Sequence, residues 1–161
     1  MHSVIRWFKA AIYGLAVAGV LAYSAAALIT VADIIGRQFG FAVLGVVDLV
    51  QLFVMMGAWF VIPYAFVVGA HVGVDLLVDH LPNAVAVPAR VISASAAIVL
   101  LALMLRYGVS SFQTQMLFGD RSQQLGIPIM WYWLPLLLGL AVSIIASFVT
   151  LAGALNPDHA K

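Results

Sequence analysis

Cysteine is absent from this chain of 161 residues. With it go disulfides, thiolate nucleophiles, iron–sulfur clusters and cysteine-ligated zinc. Glutamate is absent as well, so every carboxylate side chain is an aspartate: Asp33, Asp48, Asp75, Asp79, Asp120 and Asp158. Charge of either sign is scarce, at 8% of residues, against roughly 25% in an ordinary soluble domain. The formal net charge is only +1 and no run of basic residues occurs, which excludes a surface that tracks a nucleic-acid backbone. Nor is there an HExxH, GxSxG or Walker sequence, so the common hydrolase and kinase chemistries have no anchor and no enzyme activity is expected.

What the chain has in plenty is hydrocarbon, with 65% hydrophobic residues, and such a chain needs lipid as its solvent. Four long apolar segments define the expected fold, an all-α integral membrane protein with spans at about 10–32, 49–70, 84–107 and 129–155, read as one membrane domain over 1–161. Arg6 and Lys9 precede the first run, and Ala25, Ala26 and Ala27 within it imitate a signal-peptide cleavage site. The stretch from Ala10 to Ala32, however, is uncharged for 23 residues, longer than the roughly 7–15 of a signal core, and reads as a transmembrane helix. The second span contains Pro63, whose ring excludes the carbonyl of Trp59 from its helical bond and predicts a kink. In the third, only Val91 to Leu105 is uncharged, and Arg90 and Arg106 are taken as snorkelling flanks. Trp131, Tyr132 and Trp133 open the fourth as an aromatic belt at the membrane boundary.

The basic pair Arg6 and Lys9 assigns the N-terminus to the cytoplasm, and four spans return the C-terminus there. Between spans two and three, His71 to Pro82 (HVGVDLLVDHLP) is too short and too charged to cross a bilayer. On a helix Val74, Leu77, Val78 and Leu81 share one face, and His71, Asp75 and Asp79 another. A short amphipathic helix lying against lipid or a partner is expected there, with a simple capped loop as the alternative.

In lipid, helices associate through small residues that let backbones approach. Gly14, Ala18, Ala22 and Ala26 recur every four residues in the first span, and Gly139, Ser143 and Ser147 in the fourth. Both series are candidate faces for packing within the chain or against another subunit. No carboxylate falls near the middle of any span, so neither substrate nor coupling ion has an obvious site. This weighs against a self-sufficient small transporter. A haem-bearing membrane anchor is the other rival, and it needs histidines on facing helices; His2 and His159 are terminal, while His71 and His80 flank one loop. No cofactor and no metal are expected. Arg37 follows Asp33 by four residues and Asp48 opens the next span, so the arginine is a candidate clip for the first hairpin, the alternative being a solvated pair worth about 0–1 kcal/mol.

The order of these features resembles a family, the small DctQ-type membrane subunits of tripartite ATP-independent periplasmic (TRAP) transporters. DIIGRQFG (Asp33 to Gly40) is similar to the family's aspartate and Gly-Arg before a short outer loop, and Asp48 in VVDLVQL stands where the family more often has glutamate. GAHVGVDLLVDHLP carries His71, Asp75 and Pro82 in the family's pattern. SQQLGIPIMWYWLP carries Gly126 and Pro128 in its Leu-Gly-Ile-Pro followed by aromatics. The resemblance implies a division of labour. A large membrane subunit would hold the substrate and ion sites, a periplasmic binding protein would deliver a carboxylate substrate, and this chain would brace the assembly in the bacterial inner membrane. Asp33, Arg37, Asp48, Asp120 and Arg121 are then candidates for periplasmic docking or structural ion pairing.

Overall fold

The structure is a computed structural model that describes residues 2–68 and 83–154. Four helices make up nearly all of it: α1 (His2–Gln38), α2 (Val46–Val68), α3 (Asn83–Phe118) and α4 (Met130–Ala154). Each contains a stretch long and apolar enough to cross a membrane, at Arg6–Gln38, Val46–Val68, Val91–Phe118 and Met130–Leu151. The all-α, four-span expectation therefore holds. The amphipathic helix expected over 71–82, with His71, Asp75 and Pro82, lies outside the described residues.

Two helices run further than charge alone suggested. α1 continues to Gln38 and α3 to Phe118, beyond the membrane spans expected to end at Ala32 and Tyr107; for α3 the polar stretch from Gly108 is expected to begin by continuing the helix, and it does. Both end in the same way, on a glycine with positive φ. At Gly40 (φ 81°) the amide of Phe41 donates to the Gly36 carbonyl and that of Gly40 to Arg37. At Gly119 (φ 66°) Asp120 donates to Gln115, and Gly119 to Met116. These paired bonds satisfy the last carbonyls of each helix, which neither water nor lipid then has to do.

The helices form a row rather than a closed bundle: α1 packs on α2, α2 on α4, and α4 on α3. Small residues set the spacing. α1 buries Ile12, Ala16, Ala22 and Ala26 on one face, and a Cβ placed on its Gly19 would meet Val61 Cγ2 at 2.8 Å and the Gly57 carbonyl at 3.0 Å. Gly57 in turn lies under the ring of Tyr23, with ring atoms 2.7 Å from where its own Cβ would be. Where α1 begins and α2 ends, the rings of Tyr13 and Tyr64 meet edge to face, 6.2 Å between centroids.

Between α2 and α4 the approach is closer still. Pro63 is buried inside α2, and its ring leaves the Trp59 carbonyl without a helical donor. A Cβ on Gly139 of α4 would collide with that carbonyl oxygen, and would lie 2.8 Å from the Trp59 carbonyl carbon. Glycine is what allows the freed carbonyl to rest against the backbone of α4, a contact worth about 0.5–1 kcal/mol. Leu140, Ser143, Ala146 and Ser147 extend the buried face of α4. The hydroxyls of Ser143 and Ser147 meet no hydrogen-bond partner in the structure, so these serines contribute their small size rather than their polarity.

Candidate functional site

Polar chemistry gathers at one end of the row, where the 39–45 connection between α1 and α2 meets the 119–129 connection between α3 and α4. Two aspartates organise it. Asp33, 6% exposed, accepts from Arg37 Nε at 2.8 Å and from the amide of Val43 at 2.9 Å. One carboxylate oxygen thus fixes the arginine on its own helix while the other fixes the turn beyond it. Asp48, 4% exposed in the first turn of α2, reaches across the molecule. Its Oδ2 accepts from the amides of Gln124 (2.9 Å) and Leu125 (2.7 Å).

Further contacts tighten this clasp. Tyr132 of α4 donates its hydroxyl to the Asp48 carbonyl at 3.0 Å. The Leu125 side chain covers Gly45, whose φ of 72° already disfavours any other residue and whose missing Cβ is the space Leu125 fills. The second connection is itself folded. Arg121 and Pro128 form an antiparallel bridge, the Ile127 amide donates to Ser122 Oγ at 2.9 Å, and Arg121 Nη1 donates to the Gly126 carbonyl at 3.2 Å. Trp133 Nε1 donates to Gln115 Oε1 at 2.6 Å, which ties α4 to α3. An open groove of about 520 Å³, lined by Arg37, Leu44, Val47, Gln124 and Leu125 among others, runs between the two connections.

The clasp brings together Asp33, Arg37, Asp48, Arg121, Gly126 and Pro128, and Asp120 lies beside them, its backbone carbonyl accepting from Ile129. Among the described residues Arg37 pairs with Asp33 alone; it does not join Asp48, whose carboxylate is turned to the second connection. The small-residue series of α1 divides. Ala22 and Ala26 are buried, whereas Gly14 and Ala18 are exposed, because each step of four residues overshoots a full turn by about 40°. Gly139, Ser143 and Ser147 all lie in the interior.

Sequence reasoning missed Tyr132, Ser122, Gln115 and Gly45. The aromatic trio illustrates why. Only Trp131 faces outward as a belt residue, 53% exposed, while Tyr132 is 5% exposed and aimed at Asp48. A phenol buried among helices needs an acceptor, and this one is a main-chain carbonyl 84 residues earlier, which no side-chain pattern in the sequence announces. Replacing Tyr132 with phenylalanine removes one buried hydrogen bond and should cost about 1 kcal/mol. A lowered melting temperature in detergent, against no change for Trp131→Phe, is the expected result.

Among the described residues no group of His, Cys, Asp or Glu could hold a metal ion. Four apolar helices in a row, with the two aspartates of the clasp at one end turned on donors of the chain itself, define a multi-pass membrane protein built to pack. Residues 26–156 match the family of tripartite ATP-independent periplasmic transporters, DctQ component, and the chain belongs to that family. It is a small membrane subunit of the TRAP type, a family whose components of this kind partner with a large membrane subunit and a periplasmic binding protein. Comparison with curated proteins finds no match.

Proposed function

We propose that this chain is the non-translocating scaffold of a TRAP-type importer of organic acid anions, a single four-helix membrane domain in the bacterial inner membrane with both termini cytoplasmic. The observation that carries this reading is the fate of Asp33 and Asp48, the two carboxylates nearest the apolar spans. Both are occupied by donors of the chain itself, which leaves neither to bind a coupling ion or to exchange a proton with substrate. They hold two connections together, and a fixed end is what a scaffold needs if a larger subunit moves beside it.

Native mass spectrometry of the chain purified gently from its host's membranes tests the assignment. A stoichiometric complex with a much larger multi-span protein is expected. A homo-oligomer, or a mass increment equal to haem, would sink it.

On this orientation the clasp faces the periplasm, where Arg37, Asp120 and Arg121 help to dock the binding protein through polar contacts sensitive to salt. Reversing Arg121 to glutamate should slow binding-protein-dependent uptake, most visibly at low ionic strength, with the amount of assembled transporter unchanged. The same reversal at Arg37 also sets two acids four residues apart, so its uptake is compared per folded complex. Uptake unaltered by both reversals would end the docking idea.

A further inference from the structure

Arg106 is the one charged residue between Val91 and Phe118, the third candidate span. The register of α3 on α4 fixes its depth. Gly108 faces Leu136, Leu137 and Trp133, the ring of Phe112 lies 6.3 Å from that of Trp133, and Gln115 accepts the Trp133 indole proton. Trp131, two residues nearer the start of α4 than Trp133, marks the edge of the apolar layer, so that edge crosses α3 no deeper than the stretch from Phe112 to Gln115. Arg106 is six to nine residues deeper, roughly 9–14 Å at 1.5 Å per residue, and the half-thickness of a hydrocarbon core is roughly 15 Å. It is therefore not a flank, as the uncharged stretch ending at Leu105 suggests, but lies well inside the span Val91–Phe118.

Nothing in the described chain compensates this charge. Arg106 is exposed, and the only ion pair among the described residues is Arg37 with Asp33. Snorkelling is hindered too. Cα–Cβ bonds lean toward a helix N-terminus, which for α3 points away from the nearer edge and toward the middle of the membrane. Its neighbours on the helix surface form a stripe, Ser95, Val99, Ala102, Ser110 and Gln113, all exposed and all turned away from α4. Ser110 adds a hydroxyl to this face one turn from Arg106, while Ser95 and Gln113 fall near the two edges of the apolar layer.

We propose that this face of α3 is an interface with a transmembrane helix of a different protein, one that presents an aspartate or glutamate to Arg106 at that depth. The inference rests on the scaffold reading and makes the larger subunit the partner. A second copy of this chain does not fit: Asp33 and Asp48 are engaged at the clasp, Asp120 falls outside the four candidate spans, and Asp75, Asp79 and Asp158 belong to no long apolar run of the sequence. Charge complementarity thus selects another chain.

The test uses the transporter complex in host membranes. The chain has no cysteine, so Ala102→Cys provides a sole thiol for a benzophenone maleimide beside Arg106. Illumination is expected to join the chain to the larger membrane protein. Arg106→Leu is expected to lower recovery of the complex by about tenfold or more, and Arg106→Lys to retain most of it. Because Arg106 makes no ion pair or side-chain hydrogen bond among the described residues, the melting of the isolated Arg106→Leu chain should stay as in the wild type. Unchanged recovery of the complex with Arg106→Leu overturns the proposal, as does cross-linking only to lipid or to a second copy; either leaves the scaffold reading standing. A wild-type chain that carries no larger partner overturns both.

Discussion

Gly139→Ala sharply lowers the melting temperature of the chain in detergent, and Gly139→Leu prevents its accumulation in the membrane. These are the largest effects expected of any single substitution in α4. Overpacking a well-filled interior usually costs about 1–3 kcal/mol, because neighbouring side chains can move aside. Here the obstacle is the Trp59 carbonyl, held in the backbone of α2, so relief requires the two central helices to separate. The cost should reach or pass the upper end of that range. Gly14 is the internal control, since nothing lies within 4 Å of its missing Cβ, and Gly14→Ala should leave the melting temperature unchanged or raise it through better helix propensity. Equal melting of the Gly139→Ala and Gly14→Ala chains would refute the backbone contact.

The second large effect belongs to Asp48. Truncation to alanine leaves the amides of Gln124 and Leu125 without their acceptor, in a place where both donate to one carboxylate oxygen. Hydrogen exchange reads this directly. Both amides should exchange on the order of tenfold faster or more in Asp48→Ala, as the second connection comes loose from α2. Asp48→Asn separates geometry from charge. Its amide oxygen can still accept both bonds without the strength that ionisation adds, so its exchange rates should fall between those of the wild type and the alanine variant. Protection that survives truncation would mean that Leu125 packing over Gly45, and not the carboxylate, holds the connections together.

Much of this architecture is legible in the sequence because lipid imposes a simple rule, and four apolar runs satisfy it without ambiguity. Legibility falls where a contact joins distant parts of the chain. Pro63 announces that the Trp59 carbonyl is freed, yet nothing local says that Gly139 receives it. Asp33 and Arg37 announce their own pairing by their spacing, whereas Asp48 sits at a helix start and looks equally suited to Arg37. The amides that donate to it are 76 and 77 residues away. The membrane edge on α3 is obscured for another reason. A charged residue normally ends an apolar window, so Arg106 looks like an edge, while the glycine cap at Gly119 that ends the helix lies thirteen residues further on. Gly40 and Gly119, each at the end of a long run, were the available signals for both late termini.

The order of the row has a consequence for how the chain is made. α3 leaves the ribosome before α4, but its place is on the far side of α4, and α2 receives α4 rather than α3. The first hairpin can close as soon as it is inserted, with Gly19 against Gly57. The third helix then has no extensive seat on what precedes it, and must wait in the bilayer as an independent span until the fourth arrives between them. Its 36-residue length and its near lack of buried residues fit that interval, and its arrival in the row follows the synthesis of the next 36 residues, from Gly119 to Ala154.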